Sequence, residues 1–342
     1  MAVVGVMYNL KGDPPEEGEP PDLGAELDSE STVLAVASAL KAFGHDVCLI
    51  EGNDASLSEL RARSLDIVFN MCEGVRGESR ESHIPAVLEM LGIPYTGSGV
   101  LSLAITLDKP MTKKVLAYHG IPTAKFRVFA SENEIDLQGL EYPVFVKPSH
   151  EGSSMGVSPS SFCAQPLDLA REARRLLKLY SEPVLVEEFL PGREFTVGII
   201  GNKNPLVFPI MEINFDLVPE DHGKMYSRQF KTDWCDEAYF SCPAQVSPEL
   251  EQALKDIALR TYRALDCRDL ARVDIRLDRN GVPNVMEINP LPGLTPGYSD
   301  YPRLAEKGGW TYEELINGIL ACALKRYNLL HLMPPRSCRQ IA

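Results

Sequence analysis

The chain has 342 residues, of which 44% are hydrophobic and 24% charged, a composition typical of a globular protein with two or three domains. Its formal net charge of −14 excludes nucleic acid as a partner, because a phosphate backbone is bound by a basic surface. No apolar run reaches the roughly 18 residues that a transmembrane helix needs, so no membrane is expected as a partner.

The cysteines and the first residues indicate the cellular compartment. None of the eight cysteines forms a C-x-x-C pair, which predicts free thiols in a reducing environment and argues against a zinc site. Residues 1–6 are apolar, but this run is short and lacks a basic start, so it predicts a first strand and not a signal peptide. We therefore expect a cytoplasmic protein.

Residues 1–108 alternate between strand and helix patterns. Strands are predicted at residues 3–7, 47–50 and 66–70, and helices at residues 31–42, 57–63 and 84–91. Such alternation is typical of a parallel sheet with helices on both faces. We therefore predict an N-terminal α/β domain over residues 1–108.

The pattern changes at Lys109 and predicts two smaller α+β domains, over residues 109–188 and 189–330. The first combines strands at residues 126–129, 144–146 and 184–188 with helices at 111–118 and 167–179. The second combines strands at residues 195–200, 207–213, 270–277 and 282–288 with helices at 248–265 and 312–324. A long polar stretch, 220–240, is a candidate lid, and residues 331–342 form a tail.

Four polar residues on two neighbouring strands predict a metal site. Arg272 and Asp274 are two positions apart and project from the same face of a strand, as do Glu287 and Asn289 on the next. An Asn-Gly pair at 280–281 predicts the hairpin that would bring the two acidic residues together. Carboxylate and amide oxygens suit Mg²⁺, although an ordinary hairpin with a polar outer face is the alternative. The stiff proline-rich turn after Asn289 favours the site.

A second group of residues has the chemistry of a phosphate site. Lys147 ends a predicted buried strand and opens a serine- and glycine-rich loop, 149–158, whose N–H groups can approach phosphate oxygens closely. The loop is not a Walker motif, and a flexible surface loop is the alternative interpretation. Glu187 ends another strand, where it either binds a nucleotide or is solvated. Lys109 and Lys231 are lone lysines. The alternative interpretation of each is an ordinary lysine exposed on the surface.

The order of these residues resembles the layout of the ATP-grasp enzymes: Lys109, Lys147 with its loop, Glu187 and Glu194, Lys231, then Asp274, Glu287 and Asn289. In detail the chain resembles the D-alanine–D-alanine ligase family, which serves peptidoglycan biosynthesis. The matching segments are residues 95–99, 107–109, 147–156, 188–196, 271–274 and 286–295. The resemblance implies a three-domain ATP-grasp fold, in which the N-terminal α/β domain accompanies two α+β domains that sandwich ATP.

The resemblance also implies a role for each matched residue. ATP would be bound by Lys109, Lys147, Ser153, Ser154, Glu187, Glu188 and Glu194. Two Mg²⁺ ions, with Mn²⁺ as an alternative, would be held by Asp274, Glu287 and Asn289. The catalytic set would be Arg272, facing the oxyanion of the intermediate, Lys231 on the lid, Ser153, and Glu30, which binds the ammonium of the first substrate. Glu26 competes with Glu30 for that role, and Glu30 is favoured because it opens a predicted helix.

The implied chemistry is peptide-bond formation between two small amino-acid substrates through an acyl phosphate, with release of ADP and phosphate, in an enzyme that forms a homodimer. The substrate half departs from the family pattern at three places. Thr232 stands where the family has tyrosine, Glu73 where it has histidine, and Ser299-Asp300 where it has Ser-Leu. Two alternatives therefore stay open: a related ligase that joins a different amino-acid or peptide pair, and a non-catalytic nucleotide-binding protein. The intact metal-site residues argue against the second alternative.

Overall fold

The computed structural model describes residues 1–215, 230 and 237–333, and three β-sheets organise this part of the chain. The first sheet has parallel strands β1 (Val3–Tyr8), β2 (Asp46–Glu51) and β3 (Ile67–Asn70) in the order β2-β1-β3. Its helices are α1 (Glu30–Ala42), α2 (Ser56–Ala62), α3 (His83–Leu91) and α4 (Val100–Leu107). The central residues of β1 and all of β3 are buried, as expected for a parallel sheet whose two faces are both covered.

The second sheet is antiparallel and follows helix α5 (Lys109–Tyr118). Its strands are β4 (Phe126–Phe129), β5 (Val144–Pro148), β6 (Phe162–Cys163) and β7 (Val184–Glu188), in the order β4-β7-β5-β6. Helix α6 (Pro166–Tyr180) buries Leu169 and Leu176 against this sheet. Because Glu187 pairs with Phe145 across β5 and β7, it lies one diagonal step from Lys147.

The third sheet contains the predicted metal-site hairpin. Its strands are β8 (Glu194–Ile200), β9 (Leu206–Val207), β10 (Met211–Ile213), β11 (Phe240–Ser241), β12 (Leu270–Leu277) and β13 (Pro283–Asn289). They run in the order β11-β10-β8-β12-β13, and β9 pairs with the C-terminal end of β8. Helix α7 (Pro248–Ala264) packs on one face through Leu254, Ile257 and Ala258. Helices α8 (Asp300–Lys307) and α9 (Tyr312–Arg326) follow β13.

Helix α9 returns to the first sheet. Its apolar residues share one core with those of α1 and β1, and Asn317 Nδ2 donates to the carbonyl of Ala39 at 2.8 Å. Arg326 near its end donates to the Tyr95 carbonyl at 2.9 Å and to the Asp269 carboxylate at 2.7 Å. The last helix therefore joins the N-terminal and C-terminal parts, although it lies within the segment predicted as the C-terminal domain. The domain boundaries stay a prediction.

Most predicted strands and helices lie within a few residues of their observed bounds. The predicted strand at 207–213 is divided into β9 and β10, and Pro209, which lacks an N–H, falls between the two. Helices α4 and α8 were not predicted. The candidate lid, 220–240, lies outside the described residues apart from Phe230 and residues 237–240, as does the tail from residue 334. Within the described ranges, no helix combines the length and apolar character needed to cross a membrane.

Candidate functional site

A cavity between the second and third sheets brings together many of the residues singled out in the sequence. Its apolar wall includes Ala124, Phe145, Met155, Leu190 and Met286. Its polar wall includes Lys109, Lys147, Ser154, Glu187, Glu188, Glu194, Arg272, Asp274 and Glu287. An apolar slot beside a group of lysines has the chemistry to take a flat aromatic base at one end and phosphates at the other. We call this the nucleotide cavity.

Glu187 lies buried in this cavity wall between two lysines. Its carboxylate is 2.7 Å from Lys147 Nζ and also pairs with Nζ of Lys113, one turn after Lys109 on α5. Burial acts to raise the pKa of Glu187, but the two ammonium groups outweigh it and hold it at about 2. Burial also lowers the pKa of Lys113, whereas Glu187 and Glu287 raise that of Lys147 against the same effect. Lys147 therefore keeps its charge at the cavity wall.

The other two glutamates predicted to bind nucleotide have different surroundings. Glu194 is buried and accepts from Arg276 Nη1 at 3.1 Å, and the Arg276 guanidinium lies 4.8 Å from the ring centre of Phe189. Glu188 faces the exposed Lys125, at 3.4 Å. The wall is thus built from opposite charges that hold each other in place. A ligand entering the cavity meets preorganised groups rather than mobile side chains.

The predicted metal residues face each other across β12 and β13. Asp274 pairs with Glu287 and Arg272 with Asn289, so all four side chains project toward one region. Arg272 Nη2 donates to Asp274 Oδ2 at 2.8 Å, and Asn289 Nδ2 donates to the same oxygen at 3.2 Å. Burial raises the pKa of Asp274 although Arg272 opposes it, and the neighbouring Glu287 raises it further. Two close carboxylates and an amide form a hard oxygen donor set that fits Mg²⁺.

The serine- and glycine-rich loop lies over the junction of these groups. Ser153 and Ser154 both adopt left-handed backbone conformations, with φ of 48° and 60°, which non-glycine residues seldom do. Lys109 Nζ donates to the carbonyl of Glu151 in the same loop. A Cβ atom at Gly152 would lie 2.6 Å from Glu26 Oε2, so a larger residue at this position would displace the Glu26 carboxylate from its present place.

A second cavity adjoins the first and shares Lys109, Arg272 and Glu287 with it. Its other polar residues include Glu26, Glu73, Glu81, Ser153 and Asn289. The residues common to both cavities are the lysine, the arginine and the carboxylate expected to act on a phosphate and a carboxyl group. We call this the substrate cavity.

The choice of Glu30 over Glu26 requires correction. Glu30 is exposed at the first residue of α1 and is not among the residues that line the substrate cavity. Ser29 caps this helix by accepting from Thr32 N, and the helix direction set by that cap directs Glu30 to solvent. Glu26, four residues earlier, lines the cavity and accepts from Arg80 Nε at 2.8 Å. Of the two candidates, Glu26 is therefore the one that lines the substrate cavity, and the ammonium-binding role itself stays a prediction.

The substrate cavity contains more carboxyl groups than cations to match them. Arg80 lies between Glu26, at 2.6 Å, and Glu151, at 3.0 Å. Burial and the neighbouring acids raise the pKa of Glu73 well above its ordinary value, and burial with Glu26 raises that of Glu81 to about 8. Burial likewise raises the pKa of Glu151 to about 7. The cavity is therefore strongly acidic.

The remaining predicted substrate residues lie apart or outside the described ranges. Ser299 precedes α8, where its Oγ accepts from Thr295 N at 3.2 Å. Asp300 is buried, and its Oδ2 is 3.9 Å from Arg272 Nη1, so it adjoins the catalytic region through Arg272. Neither residue lines the substrate cavity. Lys231 and Thr232 fall outside the described residues, and their roles stay predictions.

His150 holds the base of the serine- and glycine-rich loop. Its Nε2 is 3.6 Å from Asp108 and its Nδ1 is 3.4 Å from Glu182, and its backbone N–H donates to Glu182 at 3.0 Å. These carboxylates outweigh burial and raise the pKa of His150 to about 9. A raised folded-state pKa stabilises the protein fully below the unfolded value near 6.5, and the effect is lost as pH rises through about 9.

We expect His150→Gln to lower the free energy of unfolding by about 2–3 kcal/mol at pH 6, and the loss to shrink as pH rises toward about 9.5. Urea denaturation of both proteins across this pH range measures the difference. The exposed His331→Gln is the matched control and should change little. A loss of stability that is the same at every pH would contradict the ion-pair assignment.

Several residues of the site were missed in the sequence. Lys113 had a usable signal, because it lies four residues after Lys109 and so on the same face of a helix. Arg80 and Glu81 lie in a short 3-10 helix, Arg80–Ser82, within a stretch whose spacing carries no periodic signal. The place of Glu81 in the substrate cavity, and of Arg80 beside Glu26, follows from a chain path that only the folded structure defines.

The chain was compared with protein families, curated proteins and solved structures. The family model described as "D-ala D-ala ligase C-terminus" matches residues 115–321. A D-alanine–D-alanine ligase of Bordetella avium is 36% identical over 293 residues, which cover 84% of this chain and 87% of that protein. A Sinorhizobium fredii relative, "Uncharacterized protein y4sG", is 37% identical over 334 residues, 95% of each chain.

A crystal structure provides the comparison of fold. A D-alanine–D-alanine ligase from Bacillus anthracis, solved in complex with ATP, superposes with a TM-score of 0.74 at 24% identity. The match covers 96% of this chain and 99% of that one. The ATP-grasp fold predicted from the sequence, with its parallel and antiparallel sheets, is therefore confirmed.

Proposed function

Because the chain belongs to the D-alanine–D-alanine ligase family, we propose that it joins two molecules of D-alanine in an ATP-dependent reaction. The observation that carries the proposal is the junction of the two cavities at Lys109, Arg272 and Glu287. A nucleotide in one cavity and an amino acid in the other would meet at these groups. Such a junction is what a phosphoryl transfer followed by an acyl transfer requires.

The proposed reaction has two steps. A carboxylate oxygen of the first D-alanine attacks the γ-phosphorus of ATP, the bond to the β-phosphate oxygen breaks, and acyl phosphate and ADP form. The amine of the second D-alanine, after losing a proton, then attacks the acyl carbon. The carbon–oxygen bond to phosphate breaks, which yields the dipeptide and inorganic phosphate. The net products are D-alanyl-D-alanine, ADP, phosphate and one proton.

The cationic residues fit the first step. Lys147, held by Glu187 at 2.7 Å, and Lys109, which spans the two cavities, would bind the phosphates of ATP. Ser153 and Ser154 would cover these phosphates with backbone N–H groups in their left-handed loop. Phosphoryl transfer depends mainly on positioning and on charge stabilisation, which these groups supply. Glu188 and Glu194 would contact the nucleoside part.

Mg²⁺ is part of the proposal. Asp274, Glu287 and Asn289 would hold it, and it would supply charge neutralisation between the triphosphate and these carboxylates. Arg272, already oriented by Asp274 at 2.8 Å, would stabilise the negative charge that develops on the carbonyl oxygen of the intermediate. Glu26 would bind the ammonium of the first D-alanine.

Other parts of the proposal derive from family membership and chain order. Lys231 would reach the γ-phosphate from a lid, and Thr232 would follow it near the second substrate. Ser299 and Asp300 would border the second substrate through Arg272. A homodimer and a cytoplasmic location are proposed on the same ground.

Dipeptide formation tests the function directly. Purified protein with ATP, Mg²⁺ and D-alanine should release phosphate and form D-alanyl-D-alanine in equal amounts, and L-alanine should give neither. Chiral chromatography identifies the product, and a coupled assay measures phosphate. Phosphate release without dipeptide, or no release with D-alanine, would reject the proposal.

A further inference from the structure

Three carboxyl groups of the substrate region have no partner. Among the described residues, the side chains of Asp28, Glu73 and Glu81 make no hydrogen bond or ion pair, although all three line cavities. A buried carboxyl group without a partner is costly, so such groups either stay protonated or are matched by a ligand. Burial raises the pKa of Asp28 to about 7 and that of Glu81 to about 8.

The cations of the protein act on these groups from a distance and form no ion pair with them: Lys11 lowers the pKa of Asp28, and Arg80 and Lys109 lower that of Glu81, but burial outweighs them. The nearby guanidinium of Arg80 is engaged by Glu26 at 2.6 Å and by Glu151 at 3.0 Å. The pKa of Glu73 is raised by burial first and then by Glu81, Glu26 and Asp28, which shows that the four acids act on one another. Their combined field favours a positively charged ligand.

The arrangement does not suit a bound metal ion. Within the described residues, no three histidine, cysteine or acidic side chains come together as a metal site. The acids instead extend along two connected cavities, because Glu26 and Glu73 line both the substrate cavity and a third cavity that reaches Asp28. An extended organic cation fits such a distribution better than a compact ion.

The third cavity, which we call the side-chain cavity, is mostly apolar on its other walls, where Asn70 and Thr96 are the polar lining residues. Phe69, Met71, Leu270, Leu294 and Ile319 line it, and all five are buried. Apolar walls with carboxyl groups among them match a side chain that has methylene groups and ends in a positive charge. The methyl group of alanine would leave this cavity unused.

We propose that the first-substrate site accepts, besides D-alanine, D-amino acids whose side chain ends in an ammonium group, such as D-lysine and D-ornithine. The α-ammonium is bound by Glu26, the side chain extends into the side-chain cavity, and its terminal ammonium is bound by Asp28 and Glu73. The carboxylate stays beside Arg272, so the reaction is unchanged and D-alanine remains the second substrate. The inference rests on the proposed ligase function.

The test compares D-lysine with D-norleucine, which has the same number of side-chain carbons but no ammonium. Each is mixed with D-alanine, ATP and Mg²⁺ at about pH 8.5, which lies above the values to which burial raises the pKa of Asp28 and of Glu81. We expect D-lysyl-D-alanine with a kcat/KM at least about 10-fold above that for D-norleucyl-D-alanine, corresponding to about 1.4 kcal/mol. Fragmentation mass spectrometry establishes the order of the two residues.

The Asp28→Asn variant refines the test. It should lower the D-lysine to D-norleucine preference about 10-fold, a ratio that is insensitive to a general loss of active protein. Glu249→Gln, on the exposed start of α7, is the matched control and should keep the wild-type ratio.

The outcomes separate the inference from the function on which it rests. If D-alanine alone gives no dipeptide, the proposed function fails. If D-alanyl-D-alanine forms but D-lysine reacts no better than D-norleucine, the inference is overturned and the function stands. A product with lysine in second position also overturns it, because lysine would then occupy the other substrate site.

Discussion

We expect the Glu287→Gln variant to form dipeptide with a kcat/KM about 100- to 1000-fold below that of the parent protein, a loss of about 3–4 kcal/mol in transition-state stabilisation. Glu287 faces Asp274 across β12 and β13 and lines both the nucleotide and substrate cavities. Glutamine keeps the shape of the side chain but removes the charge that would help to hold Mg²⁺ against the triphosphate. Steady-state kinetics at saturating Mg²⁺ measures the loss.

The control for this variant is the same chemical change at an exposed position. Glu249→Gln should retain the parent kcat/KM, and circular dichroism should show that both variants are folded. Turnover of Glu287→Gln within a factor of about 3 of the parent would exclude this carboxylate from the metal site.

We expect Glu187→Gln to lower the free energy of unfolding by about 3–5 kcal/mol, because it leaves the Lys113 and Lys147 charges buried and unpaired. Lys113→Met should cost less, since it removes a buried charge and leaves the Lys147–Glu187 pair intact. Urea denaturation at neutral pH measures both effects. Glu187→Gln should lose more stability than Lys113→Met because the side chains of Lys113, Lys147 and Glu187 all lie inside the protein.

An exposed ion pair provides the matched control. Glu132 and Arg174 are 3.7 Å apart with side chains 60% and 57% exposed, so Glu132→Gln should change stability by less than about 0.5 kcal/mol. If Glu187→Gln were as stable as Glu132→Gln, the buried charge network would not stabilise the fold as described.

The fold was predictable where one local pattern decides the outcome. The β12–β13 hairpin followed from alternating residues on either side of Asn280-Gly281, and Gly281 indeed has a positive φ of 79°. The irregular register between Asp274 and Ile275 had no such signal. It arises from packing between strands, which the sequence of one strand does not encode.

The site was predictable in its nucleotide half, where residues occur in a fixed order along the chain. Glu187 was expected to bind the nucleotide, and its two lysine partners were not anticipated, since Lys113 approaches it from a separate element. The preference for Glu30 over Glu26 failed for a similar reason. The loop before α1 determines which carboxylate enters the cavity, and loop paths depend on contacts such as that between Glu26 and Arg80.

The central claim is that the two cavities join ATP cleavage to peptide-bond formation through an acyl phosphate. The most direct measurement uses D-alanine labelled with oxygen-18 in its carboxyl group and determines the isotope content of the released phosphate by mass spectrometry. Attack by the carboxylate on the γ-phosphorus predicts that an oxygen-18 atom is transferred to phosphate for each dipeptide formed. Unlabelled phosphate accompanying D-alanyl-D-alanine would contradict this mechanism.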